Sequence, residues 1–380
     1  MSLHKPRPTR ARLHFLLFGL ALLLGAETVG AQIRTVLASP VPGDPVASGT
    51  ALRNALAGIS SPSATNRWLL KIEPGIFDVG GTPLAMRPYV DIEGSGIEAT
   101  TIRGNGDASS DLGKATILGA DNTELRLLTV QATGPTSTSS AIAMANYNGA
   151  SPRVYRVKFV AQALVAWGMR NFNAAPLIEE CEVSVAATAT GGYAYGMVFG
   201  GYPPASRRSS ILRSKVAVWG ATHNYGVYMS NALSLASIRD SRFDLTGGST
   251  TQGLYATGYT GWSGNETLTI RDTEVVSSNG SSASYGIRFE GGAQIVPQIN
   301  ESNIGGYAAP LTYGIYTDSV SSPGGIQGSS ITGFTKTIQF GSSISIGSTF
   351  LRGGPATAGG WLGCMGVWDE NAVFYTQGCP

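Results

Sequence analysis

Two short patterns of apolar and polar positions recur along most of the chain, out of phase with each other. The first is an aliphatic residue, two variable positions, a small residue, one variable position and an apolar residue. It reads ILRSKV at 211–216, IRDSRF at 238–243, IRDTEV at 270–275, INESNI at 299–304 and IQGSSI at 326–331. Weaker copies are LRLLTV (125–130), VYRVKF (154–159) and IEECEV (178–183), and IGSTFL (346–351) fits loosely. The second pattern reads YGMVF (195–199), YGVYM (225–229), GLYA (253–256), YGIRF (285–289) and YGIYT (313–317), with AIAM (141–144) and WGMR (167–170) as poorer copies. Both recur at about 28 residues with uneven spacing, as when loops of different length join fixed strands.

Alternation gives these patterns a physical meaning. In YGVYM, Val227 and Met229 share one face of a strand and Tyr228 takes the other. In IRDSRF, Ile238 and Phe243 cannot share a face across five positions unless the chain bends near Asp240-Ser241. Each repeat then supplies three short strands joined by turns, one coil of a parallel β-helix. Ile178, Ile211, Ile238, Ile270, Ile299 and Ile326 form one inward ladder, and Cys181, Ser214, Ser241, Thr273, Ser302 and Ser329 form a small-residue ladder beside it. Burial of each aliphatic side chain contributes about 1.5–3 kcal/mol. The predicted class is all-β: a single-stranded right-handed parallel β-helix solenoid of about 9–10 coils, with a short capping helix over TALRNALAG (50–58).

The first residues are set aside as a targeting segment. Lys5, Arg7, Arg10 and Arg12 precede the apolar run Leu13–Leu24, and Val29-Gly30-Ala31 supplies small residues for cleavage before Gln32. An uncleaved anchor is the alternative. Cleavage leaves no transmembrane segment and places the protein outside the cell, on a bacterial surface or in the periplasm. The expected organisation is a signal peptide at 1–31, an N-terminal segment with the capping helix at 32–66, the β-helix at 67–352 and a tail at 353–380. Losing four cations and Glu27 turns the formal charge of +2 into about −1, which removes any argument for nucleic acid as a partner.

The remaining chain keeps one histidine, His223, read as a solvated turn residue, so no multi-histidine metal site is possible. Cys364 and Cys379 bracket the tail and are expected to form a disulfide, leaving Cys181 as a buried thiol. Fifty-one glycines and only 13% charged residues suit many short strands and turns.

The segment KIEPGIFDVGG…YVDIEGSG…TTIRG resembles the opening of pectin methylesterases and of many bacterial β-helix proteins. GADNTELRLLTVQATG, SPRVYRVKF and YGVYMSN resemble uncharacterised secreted bacterial β-helix repeat proteins. Over roughly 45–352 the chain resembles the pectin-lyase-like superfamily, and the matching residues are structural. The paired-Asp and Gly-His-Gly pattern of polygalacturonases and the Arg-x-Pro-x-x-Arg segment of pectate lyases are missing. The catalytic strand of pectin methylesterases has no counterpart either, so no active residue carries over and the fold alone supplies no function.

The resemblance implies that chemistry sits outside the strand of the second pattern. The outward positions there are Arg170, Val198, Tyr228, Tyr255, Arg288 and Tyr316, followed two positions later by Ser230, Thr257, Glu290 and Asp318. Arg170, Tyr228, Tyr255, Arg288 and Tyr316 are the candidate ligand-binding residues, since aromatic faces stack on sugars and Arg pairs with carboxylates. The ordinary alternative is exposed strand tyrosines paired across rungs. Glu290 and Asp318 fall on adjacent coils, which makes them, with Tyr255 and Arg288, the candidate acid–base groups.

Asp240 and Asp272 read as bend residues, with calcium as the second choice and no other cofactor or metal implied. Asn265-Glu266-Thr267 matches a glycosylation sequon. The leading functional reading is a non-catalytic secreted β-helix with a binding or surface role, in contact with an acidic polysaccharide or cell-surface glycan. The alternative is a polysaccharide lyase or glycoside hydrolase acting along the same exterior face.

Overall fold

The computed structural model describes residues 33–106, 112–134, 139–189, 191–201, 207–230, 235–258, 266–290, 295–318 and 324–380. The expected signal peptide, the cleavage site before Gln32 and Asn265 of the sequon lie outside the described residues.

The chain is a right-handed parallel β-helix. In each full coil, a first strand carries the aliphatic residue of the first pattern. A second strand carries its closing apolar residue, and a third carries the second pattern. Among the described residues, first and second strands pair from coil to coil in one 24-stranded sheet, and third strands form an 11-stranded sheet. The predicted isoleucine ladder is in register from Ile178 to Ile326 and fully enclosed. Phe159, Val183, Val216, Phe243, Val275 and Ile304 form the ladder of the second face. Met169, Met197, Val227, Leu254, Ile287 and Ile315 form that of the third.

The bend between first and second strands is the same in successive coils. Arg156, Glu180, Arg213, Asp240, Asp272 and Glu301 all adopt left-handed backbone conformations, with φ between 47° and 53°. Non-glycine residues resist this region at about 1–2 kcal/mol each. What holds them is the rung above: the Asp240 N–H donates to the Arg271 carbonyl at 3.1 Å, and the Glu301 N–H donates to the Gln327 carbonyl at 2.9 Å. The small-residue ladder completes the corner. Ser302 Oγ donates to the Asn300 carbonyl at 2.7 Å and accepts the Thr273 N–H at 3.3 Å. Asp240 and Asp272 are therefore bend residues through their backbones, and the Asp272 carboxylate pairs with Arg271. Cys181 starts this ladder, with its N–H on Ser214 Oγ at 3.1 Å, and burial pushes its thiol up to about 12.

The solenoid extends beyond the span its repeats delineate. Arg34–Ala38 already stacks in parallel on Trp68–Ile72, and Leu362–Met365 continues the first face after Ile344–Gly347. Cys364 occupies the isoleucine position there and is bonded to Cys379. The antiparallel pair Val367–Asp369 and Phe374–Tyr375 folds over the last coil.

The capping helix, α1, is Pro45–Ala57, five residues longer at its start than the apolar spacing predicts. Its N-terminus is set by Asp44, whose carboxylate accepts from the Val46 and Ala47 N–H groups, with Pro45 pre-shaped for the first turn. Leu52 and Leu56 bury against the first coil.

Outside the first face runs a chain of alternating charges. Glu93 bridges Lys71 and Arg126, Glu124 bridges Arg126 and Arg153, and Glu179 bridges Arg153 and Arg213. Glu180 then joins Arg213 to Arg156. Partial burial works to raise the Glu93 carboxyl, but hydrogen bonds and charge from Lys71 and Arg126 outweigh it and hold it below its ordinary value.

Candidate functional site

The outer surface of the third sheet gathers most of the tyrosines, and a ladder of glycines is the reason. From Val165–Phe172 onward, six successive strands of the second pattern carry glycine at one level, Gly168, Gly196, Gly226, Gly253, Gly286 and Gly314, where the preceding strand carries buried Ala143. These glycines lie against the core. A Cβ added at Gly226 would stand 2.5 Å from the Gly253 carbonyl oxygen and 3.2 Å from both Phe243 and Leu245. The next residue, Val227, also points inward and is fully buried. Two consecutive inward positions reverse the alternation, so Tyr225 and Tyr228, three residues apart, share the outer face.

Two aromatic columns result, where strict alternation predicts one. The predicted column is in register: Arg170, Val198, Tyr228, Tyr255, Arg288 and Tyr316 follow one another rung by rung. Beside it runs a second column of Trp167, Tyr195, Tyr225, Gln252, Tyr285 and Tyr313. The Tyr-Gly dipeptide was its signal in the sequence, readable only once the glycine is known to break the parity. Trp167 on Tyr195, Tyr195 on Tyr225 and Tyr285 on Tyr313 are stacked within 8° of parallel, with centroids 4.9–5.8 Å apart. Rings covered on both sides offer solvent their edges and hydroxyls. Tyr228 and Tyr316 are turned by 72–89° against this column. Burial raises the Tyr195 and Tyr225 phenols well above their ordinary range.

Gln252 interrupts the second column. It is 3% exposed, and its side-chain oxygen has no hydrogen-bond partner among the described residues. The predicted acid–base candidates lie further along the same two strands, where Tyr255 is opposite Arg288 and Thr257 opposite Glu290. The Tyr255 hydroxyl donates to Glu290 at 3.2 Å, and the Arg288 guanidinium pairs with the other Glu290 oxygen. Arg288 also sits over the Tyr285 ring, 4.6 Å from its centroid. Burial, together with the Glu290 charge, pushes the Tyr255 phenol up to about 12. Asp318 follows on the next coil, exposed, its N–H donating to the Phe289 carbonyl at 3.2 Å. The structure thus brings Tyr255, Arg288 and Glu290 into direct contact, with Asp318 one rung away.

His223 departs from the expectation of a solvated turn. It opens the strand His223–Met229 and stacks on Tyr193 with centroids 5.0 Å apart. Burial and then the Arg288 charge lower its pKa. At the other end of the face, Trp167, Arg170, Phe172, Tyr195, Tyr228 and Ser230 surround a hollow of about 250 Å³, with Asn171 and Val198 completing its lining. Among the described residues no group of three or more His, Cys, Asp or Glu side chains is placed to hold a metal ion, and no helix is long and apolar enough to cross a membrane.

No protein-family model matches the chain, and no match is found among curated proteins. Solved structures do align with it at low identity. The A-modules of two mannuronan C-5 epimerases from Azotobacter vinelandii align with TM-scores of 0.48 and 0.45, at 11% and 15% identity. The first alignment covers 88% of this chain and 90% of that module, and the second covers 86% and 97%. An exopolygalacturonase from Thermotoga maritima aligns with a TM-score of 0.40 at 10% identity, covering 88% of this chain and 90% of its own.

Proposed function

We propose that the outer face of the third sheet is a non-catalytic binding platform for an acidic polysaccharide or cell-surface glycan. One observation carries the reading: two adjacent columns of aromatic side chains, flanked by Arg170 and Arg288, run in register along the solenoid. A row of phenol edges supplies hydrogen-bonding hydroxyls to sugar hydroxyls, and rings turned out of the stack supply apolar faces. Arg170 and Arg288 supply cations for carboxylates. An array of neutral and acidic glycans tests this directly. Binding confined to acidic glycans and weakened by Tyr228→Ala supports the platform, whereas an array without any acidic glycan bound overturns it.

A second reading is favoured by the Tyr255–Glu290–Arg288 contact. A protonated phenol held by a carboxylate and an arginine is suited to donate a proton to a leaving group. In that case the protein is a lyase or hydrolase of acidic polysaccharides. Uronate polymers incubated with the protein would then gain unsaturated or reducing ends, and both Tyr255→Phe and Glu290→Gln would abolish the gain. Absence of new ends on every polymer that binds rules this reading out.

A further inference from the structure

One position of the second aromatic column breaks the rule of the repeat. Trp167, Tyr195, Tyr225, Tyr285 and Tyr313 put a ring on every rung but one, and that rung carries Gln252. The exception costs stability. Gln252 is 3% exposed, and its Oε1 has no hydrogen-bond partner among the described residues. A buried acceptor left unpaired forfeits its bond to water, whereas a tyrosine there would continue the stack with its hydroxyl at the solvent edge. On the next rung Arg288 Nε is also buried without a partner among the described residues, while a terminal nitrogen of the same guanidinium pairs with Glu290. An acceptor and an N–H donor are thus both unpaired beside Tyr285. Gln252 is the partner of Tyr285 in register, and the Arg288 guanidinium lies 4.6 Å from its ring centroid.

Tyr255 closes this rung differently from its neighbours. Tyr228 and Tyr316 each stand at 72–89° to two rings of the second column. Tyr255 is tilted at 45° against Tyr225 and has Gln252 where the second ring would be. Its hydroxyl is held by Glu290 instead. Tyr225 and Tyr285 are two rungs apart, about 9.6 Å at the usual strand spacing. That interval is about the sum of two stacking distances in this column, 4.9 Å for Tyr195 on Tyr225 and 5.0 Å for Tyr285 on Tyr313, and so takes one further ring.

We propose that Gln252 is a specificity-determining residue of the platform, where its amide oxygen accepts from a ring hydroxyl of the bound glycan. The assignment rests on the platform reading above and deepens it. A hydroxyl is donor and acceptor at once, so one sugar hydroxyl donates to Gln252 Oε1 and accepts from the Arg288 Nε–H. A carboxylate has no proton to donate to Gln252, so this position selects a hydroxyl of an acidic sugar rather than its acid group. Tyr255, held by Glu290 rather than by two rings, is the side chain that turns aside to admit the sugar.

The test uses a galacturonate hexamer, an acidic glycan with free ring hydroxyls, in calorimetry on the full chain. Two variants remove the amide in different ways. Gln252→Tyr restores the ring of the repeat, and Gln252→Met keeps the length of the side chain without the acceptor. Both bind the hexamer about ten-fold more weakly than the wild type, the size of one hydrogen bond. Their urea midpoints equal or exceed that of the wild type, because an unpaired buried acceptor has been removed. Affinity within about two-fold of the wild type for either variant means that water alone serves Gln252, and overturns the assignment. A fall of both midpoints together with binding also overturns it, because the amide would then serve the fold. A wild type that binds no hexamer overturns the platform for this class of glycan, a result distinct from binding that ignores Gln252.

Discussion

Tyr225 and Tyr228 lie on the same outer face of one strand, their ring centroids 5.4 Å apart and their planes at 88°, although an odd number of positions separates them. Gly226 makes this possible by filling an inward position that no side chain could occupy. The same substitution of a hydrogen for a side chain, repeated at Gly253, Gly286 and Gly314, sets the spacing of both columns. Packing at the core thus determines what the surface displays.

Gly226→Ala is expected to destabilise the protein by about 1–3 kcal/mol, because the new methyl overpacks against the Gly253 carbonyl, Phe243 and Leu245. Urea denaturation measures the loss. A midpoint equal to that of the wild type would show that Gly226 does not face the core.

Ile270→Ala is expected to cost about 2–5 kcal/mol, since Ile270 is fully enclosed between Ile238 and Ile299 in the isoleucine ladder. A loss below about 0.5 kcal/mol, the range of ordinary surface changes, would contradict the inward ladder.

The charged chain on the first face predicts a particular pH response. Glu93 ionises at lower pH folded than unfolded, so its pairing stabilises the protein above its ordinary value of 4.5 and is lost as pH falls through the depressed folded value. Thermal midpoints recorded from about pH 6 down to about pH 3 should fall for the wild type, and fall less for Glu93→Gln. Parallel curves for the two proteins would mean that Glu93 adds nothing to acid sensitivity.

Reduction of the Cys364–Cys379 bond, or Cys379→Ser, should lower stability by about 3 kcal/mol on the loop-entropy argument for a separation of 15 residues. The readout is the urea midpoint with and without reductant. An unchanged midpoint would leave the closing pair Val367–Asp369 and Phe374–Tyr375 held by packing alone.

The amino-acid sequence by itself determined the solenoid, the isoleucine and hydroxyl ladders, the bend at Asp240, the buried Cys181 and the Cys364–Cys379 bond. These features repeat, and a repeat forces like residues into register whatever the loops between them do. It also placed Arg170, Tyr228, Tyr255, Arg288 and Tyr316 in one outward column, because Val227 and Met229 mark the inward parity on their own. Tertiary structure alone decided the second column, since parity through a Tyr-Gly step depends on core atoms of Phe243 and Leu245 that lie on another strand. It likewise decided that His223 stacks on Tyr193 and that Glu290 holds both Arg288 and Tyr255. Such pairings join side chains about a coil apart along the chain, and in one case two residues apart, through distances that local sequence does not specify. The start of α1 at Asp44-Pro45 is the converse case: the capping signal was local, but the apolar spacing began too late to reveal it.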